Sequence, residues 1–312
     1  MSKTNRISLI VLIVSVVVIA INLVFILNSG ENPSRKNYKL PATELSEKAW
    51  GEILANNSAI DQFKVLKTGS VKVPRSGMLN TDKLDDKSKL KEFLWVDVFV
   101  FMFHHQDRGW YIIDTGLDSS FQKDGNINGF LASNYIIESK QTSGQNIGAQ
   151  LQRENKEIKG IFFTHLHGDH TAGMPEIDRS IPKYIGKGDK YLDLPFLYSS
   201  NHLTSKSILY EMDWAEGFSK KPFDYVMDIF GDGSILAIHT PGHSKGHLSY
   251  LLNTTEGSIL LTGDASHTKY GFKNNIEPGW VDDQKAAVNS LNQLRSFHEM
   301  FPQVEIIYGH ER

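Results

Sequence analysis

The amino-acid sequence predicts an α/β fold. Short apolar runs of strand length recur along the chain, as in Gly160-Ile161-Phe162-Phe163-Thr164 and Ser234-Ile235-Leu236-Ala237-Ile238. A long amphipathic stretch, Asp283 to Phe301, places Ala287, Leu291, Leu294, Phe297 and Phe301 on one helical face. A second helical pattern, Gln145 to Glu154, lies between two of the apolar runs. Strands interleaved with helices are the signature of this class.

Taken in order, the elements begin with residues 7–27, a stretch without a single charge. As a helix it would rise about 31 Å, the thickness of a bilayer's hydrocarbon core. It exceeds the apolar region of a signal peptide, so it reads as an uncleaved transmembrane anchor. Lys3 and Arg6 precede it, which by the positive-inside tendency puts the rest of the chain outside the cytoplasm. Residues 29–60 follow as a polar linker with Gly30 and Pro33 and a short helix carrying Leu45, Trp50, Ile53 and Leu54. The catalytic domain is expected over 61–312. Phe63 to Val73 and Leu94 to Phe103 read as strands around a charged loop, Asp82 to Glu92, and Trp110 to Asp114 as a shorter one. Asp282 or Asp283 is placed to cap the last helix.

Composition narrows function. Of 312 residues, 40% are hydrophobic and 22% charged, an ordinary globular balance. The formal net charge of -3 and the lack of a strongly basic run argue against a nucleic-acid partner. Without cysteine there is neither a disulfide nor thiolate metal ligation.

The chemistry is concentrated in His165-Leu166-His167-Gly168-Asp169-His170, directly after the run 160–164. Imidazole nitrogen and carboxylate oxygen are donors for a divalent metal such as zinc. Further donors follow other apolar runs: His243 in Thr240-Pro241-Gly242-His243, Asp264 in Leu261-Thr262-Gly263-Asp264, and His310 in Ile307-Tyr308-Gly309-His310. Several strand ends converging on one edge would build a metal site. The aromatic stretch 187–230, with Tyr191, Phe196, Tyr198, Trp214, Phe218, Phe223 and Tyr225, suggests a pocket wall or a satellite core.

The order HxHxDH, then His, Asp and His resembles the metallo-β-lactamase fold superfamily, over about residues 60 to 312. The resemblance implies an αββα sandwich, two packed sheets with helices outside. It implies two Zn2+ per chain: His165, His167 and His243 around one, Asp169, His170 and His310 around the other, and Asp264 between them. Asp114 would orient ligands from behind. The segments around Asp264 and His310 are most similar to N-acyl-homoserine lactonases, which implies a hydroxide shared by two metals attacking a lactone, ester or related acyl carbonyl of a small molecule. Asp169 would then carry a proton to the leaving alkoxide. Those lactonases have a tyrosine three residues after the bridging aspartate. Here that position is His267, expected to donate a hydrogen bond to the substrate oxygen. His247 is expected to orient rather than ligate. His202, His239 and His298 are not expected to be ligands, and one of His104 and His105 is placed near a pocket rim.

Other readings compete. The bridging aspartate argues against β-lactam hydrolysis. A glyoxalase II-like thioester hydrolase shares the ligand set but carries an added helical domain, and the di-iron redox members carry glutamate at the His167 position and need a flavin domain. A membrane-tethered metal-binding protein is the non-enzymatic alternative.

Overall fold

The computed structural model describes residues 13–20, 23, 32–55, 58–84, 91–191, 199 and 202–312. The fourteen strands named here are β1 (Ser34–Tyr38), β2 (Ile60–Pro74), β3 (Phe93–His105), β4 (Gly109–Ile113), β5 (Glu138–Lys140), β6 (Ile158–Phe162), β7 (Lys183–Gly186), β8 (Ile208–Met212), β9 (Phe218–Lys220), β10 (Phe223–Asp228), β11 (Ile235–His239), β12 (Leu248–Thr254), β13 (Gly257–Leu261) and β14 (Glu305–Ile307). The helices are α1 (Trp50–Ala55), α2 (Arg75–Met78), α3 (Ile147–Glu154), α4 (Gly168–Thr171), α5 (Lys269–Asn274) and α6 (Gln284–Met300).

The strands form two halves. One runs β1-β8-β7-β6-β4-β3-β2, with β5 on β2; the other runs β9-β10-β11-β12-β13-β14. They are joined through Thr254 of β12 beside Ile60 of β2. From β4 through β6, β7 and β8 to β1 the pairing is parallel, whereas the second half is antiparallel apart from β13 and β14.

The period-two alternation of strand side chains explains the layering. Phe99, Phe101 and Phe103 of β3 point into the core between the halves, where they meet Ile235 and Ala237 of β11 and Leu248, Tyr250 and Leu252 of β12. The intervening Val100 and Met102 face outward into a second core with Ile147 of α3. On the other side Leu236, Ile238 and Leu251 pack against Trp50 and Ile53 of α1 and Leu291, Leu294 and Phe297 of α6. A strand buried on both faces reads as a near-continuous apolar run, as Phe99 to Phe103 does. The result is helix, sheet, sheet, helix, the sandwich that the family resemblance implies.

Helix α6 spans the expected stretch, and the Asp283 side chain caps it by accepting from the Ala286 backbone N–H at 3.0 Å. Ser34–Tyr38, expected as linker, instead forms an edge strand pairing in parallel with β8.

The transmembrane anchor expected over 7–27 is corrected. Of that run, residues 13–20 and 23 are helical with exposed side chains, and the others lie outside the described residues. Residues 13–20 rise about 12 Å, against the roughly 30 Å of a hydrocarbon core. Among the described residues no helix is long and apolar enough to cross a membrane. The membrane attachment and the placement of the domain outside the cytoplasm lose their basis with it.

Candidate metal centre

Each donor lies just beyond a strand on the same edge of the sandwich. Asp114 follows β4, His165 to His170 follow β6 and include α4, His243 follows β11, Asp264 follows β13, and His310 follows β14. The strands deliver short loops to one place, which sequence separation hides.

All seven expected donors meet there. His243 Nε2 lies 3.0 Å from His165 Nε2 and 2.8 Å from His167 Nδ1. Asp264 Oδ2 lies 3.7 Å from His165 Nε2 and 3.4 Å from both His170 Nε2 and His243 Nε2. His310 Nε2 is 3.4 Å from Asp169 Oδ2 and 3.5 Å from Asp264 Oδ1, and His170 Nε2 is 3.7 Å from Asp169 Oδ2. The donor atoms fall into overlapping groups: His165, His167 and His243; His165, His170 and Asp264; Asp169, His170 and His310.

The donor set fits a pair of divalent cations. Buried polar atoms are ordinarily hydrogen-bonded, yet His170 Nε2 and Asp264 Oδ1 have no hydrogen-bond partner. Lone-pair nitrogens and carboxylate oxygens gathered without a donor among them are what a cation would reconcile.

Outer contacts set which nitrogen is free. Asp114 accepts from His170 Nδ1 at 2.8 Å, from the Thr164 N–H at 2.8 Å and from Thr164 Oγ1 at 2.9 Å. It does so from a left-handed backbone, φ 60°, which aspartate tolerates better than most residues. This is the orienting role expected of Asp114. His243 Nδ1 donates to the Trp280 carbonyl at 2.7 Å, and His310 Nδ1 to the Asp97 carbonyl at 2.8 Å. Each contact leaves Nε2 directed into the cluster.

Burial and the other histidine rings hold His165 and His243 well below the ordinary histidine range. Burial also opposes charge on His170 and His310. There the carboxylates win: Asp264, Asp114 and Asp169 hold His170 well above the ordinary value, and Asp264 with Asp169 raises His310. Asp264, despite burial, is held well below the carboxylate range by His267, His310 and His170.

The remaining histidines divide. His247 is fully buried and accepts the Asp264 backbone N–H on Nε2 at 2.9 Å. Its proton is therefore on Nδ1, donated to Thr240 Oγ1, which donates to Ser249 Oγ, which donates to the Thr262 carbonyl. Burial pushes the ring down to about 3. His202 sits behind α4, between Thr171 Oγ1 at 2.9 Å and Asn126 Oδ1 at 2.7 Å. His239 stacks on Trp214, and His298 packs against Phe272. His104 and His105 pair with Asp61 and Asp232 and do not line the cavity at the cluster.

His267 belongs to the centre. It is 2% exposed, with Nε2 3.0 Å from Asp264 Oδ2 and Nδ1 3.1 Å from the Met78 carbonyl. Asp189 was not singled out by the sequence reading. It follows β7, is buried, and accepts the Leu166 N–H at 2.7 Å, bracing the turn between His165 and His167. Its position beyond a strand was the available signal.

A cavity of about 110 Å3 opens onto the cluster, with Val73, Met78, Val96, Tyr135, Ile136 and Trp280 among its walls. None of the described residues of the aromatic stretch 187–230 is among these walls. Phe223 packs between Trp50 and Phe297, and the Tyr191 hydroxyl accepts from the His202 and Leu203 N–H groups. Phe196 and Tyr198 lie outside the described residues.

Comparison with known proteins agrees with this geometry. The family described as "Metallo-beta-lactamase superfamily" matches residues 94–308. An N-acyl homoserine lactonase from a Bacillus species is 26% identical over 246 residues, 75% of this chain and 89% of that protein. The N-acyl homoserine lactonase AttM of Azorhizobium caulinodans is 26% identical over 157 residues, 50% of this chain and 59% of its own length. A solved N-acyl homoserine lactone hydrolase with N-hexanoyl-L-homoserine at its catalytic metal centre superposes with TM-score 0.62 at 23% identity, over 81% of this chain and 94% of that one. The dizinc lactonase AidC superposes with TM-score 0.51 at 12% identity, over 82% and 90%. The chain belongs to the metallo-beta-lactamase superfamily, and its relatives include N-acyl homoserine lactonases.

Proposed function

We propose that the protein is a dizinc hydrolase that opens a lactone or a related carboxylic ester carrying an apolar acyl group. The observation that carries this is the meeting of His165, His167, His170, His243, His310, Asp169 and Asp264 at the mouth of an apolar-walled cavity. The lactonase relatives favour a lactone substrate over other acyl bonds. Nitrogen and carboxylate donors without thiolate suit zinc.

His165, His167 and His243 would hold one ion, Asp169, His170 and His310 the other, with Asp264 between them. Bound there, two such ions supply a nucleophile at neutral pH and polarise the substrate carbonyl. The protein does the rest. Asp114, the Trp280 carbonyl and the Asp97 carbonyl fix His170, His243 and His310 with their Nε2 atoms inward. Met78, Val96 and Trp280 exclude water from the acyl group. Asp169 is only half-buried and lines the cavity. Its carboxylate takes the proton of the attacking water and hands it to the leaving alkoxide oxygen. His267 faces the same cavity and completes the wall beside Asp264.

The test is a panel of lactone, thioester, phosphodiester and cephalosporin substrates on zinc-loaded protein, with metal content measured on the same sample. Lactone turnover should lead and should vanish on chelation. Asp169→Asn should lower kcat about 10²-fold or more with little change in KM. Faster turnover of thioester or cephalosporin, or an unchanged rate in metal-loaded Asp169→Asn, overturns the reading.

A further inference from the structure

His267 stands where the resembling lactonases have tyrosine, and its surroundings are those of a ligand. Its Nδ1 is 3.1 Å from the Met78 carbonyl, which only accepts, so Nδ1 carries the proton. A neutral ring then has only a lone pair on Nε2, and that lone pair faces Asp264 Oδ2 at 3.0 Å. Two lone pairs at that separation call for a proton or a metal ion between them, and the ring nitrogens gathered beside the pair make it a place for the metal. His243 and His310 are built the same way, with Nδ1 donating to a backbone carbonyl and Nε2 turned to Asp264. The donor atoms of His243, Asp264 and His267 lie within 4.8 Å of one another. The backbone is pinned as well: the His310 N–H donates to the His267 carbonyl at 3.0 Å, and the Gly309 N–H to the Ser266 carbonyl at 3.1 Å. His267 is therefore tied directly to a neighbouring ligand loop.

We propose that His267 is an eighth metal ligand, its Nε2 joining His165, His167 and His243 around the ion that Asp264 shares. This rests on the binuclear reading above and adds to the part His267 plays in it: beyond completing the cavity wall, the ring binds metal through a lone pair, in place of the hydrogen bond to substrate expected from the sequence. A fourth imidazole on one ion biases that position toward zinc, cobalt or nickel and away from magnesium or manganese.

The test uses full-length protein labelled with 15N-histidine and loaded with 113Cd. Scalar coupling between cadmium and nitrogen identifies every ligating ring. The proposal expects coupling at His267 Nε2 in the wild-type protein, so no variant need fold for the result to count. His267→Gln should abolish that signal, retain coupling at His165, His167 and His243, and weaken one cadmium or zinc affinity at least about tenfold. His267→Tyr should do the same. A wild-type protein that binds two ions without coupling at His267, or with affinity unchanged in His267→Gln, overturns this proposal and leaves the binuclear reading intact. Failure to bind two ions at all overturns the binuclear reading itself.

Discussion

Asp114 is the strongest lever on the centre that does not itself ligate. It is buried, and it anchors His170 Nδ1, the Thr164 N–H and Thr164 Oγ1 together. Asp114→Asn keeps the volume and tolerates the left-handed backbone at φ 60°. If the amide oxygen keeps the Thr164 N–H, the amide NH2 must face His170 Nδ1. The ring then moves its proton to Nε2, the atom aimed at the metal, or turns away. Removing such outer partners typically costs 10- to 100-fold in metal affinity, about 1.4 to 2.7 kcal/mol. The loss should concentrate in the ion held by Asp169, His170 and His310, with a smaller effect on the other, which Asp114 reaches only through the Thr164 hydroxyl 3.1 Å from His165 Nδ1. Competition against a chromophoric chelator resolves the two steps. Two affinities both within twofold of wild type would refute the reasoning that Asp114 selects the ligating nitrogen.

Two further outcomes follow from the same contacts. In the metal-free protein the carboxylates raise His170 and His310, so these rings hold their protons to higher pH than His165 and His243, which burial and neighbouring rings hold low. Metal must displace those protons, so uptake should release them and affinity should strengthen as pH rises above the ordinary histidine value; calorimetry in buffers of different ionisation enthalpy measures this, and an affinity flat with pH and free of proton release would count against it. His247→Ala removes the acceptor of the Asp264 N–H and opens space beside Gly263, where His247 Nε2 sits 2.7 Å from a would-be Cβ; stability should fall by about 1–3 kcal/mol and zinc affinity by about tenfold or more, and a melting temperature and affinity equal to wild type would show that His247 does not position Asp264.

The site was legible because its ligands obey one local rule. A run such as Gly160 to Thr164 or Ile306 to Tyr308 marks a strand, and the residues after it are aimed at the sheet edge. Residue type then supplied the chemistry, and the family resemblance supplied the layers. What stayed hidden was carried by backbone or by context. The carbonyls of Trp280, Asp97 and Met78 orient three rings, and no residue type announces a carbonyl. Ser34–Tyr38 is polar and largely exposed because an edge strand needs only one partner, so it read as linker. The cavity walls come from separate segments, such as Val73, Tyr135 and Trp280, while described residues of the aromatic-rich stretch, such as Tyr191 and Phe223, went into brackets and packing. Length and apolarity alone suggested a membrane helix at 7–27, and the described residues provide none.

Seven side chains from distant segments holding two cations are the centre of the proposed chemistry. Anomalous diffraction at the zinc absorption edge from crystals of the zinc-loaded protein tests this most directly. It should show two peaks, one among His165, His167 and His243 and one among Asp169, His170 and His310, with Asp264 reaching both. A single peak, or peaks elsewhere on the chain, would contradict it.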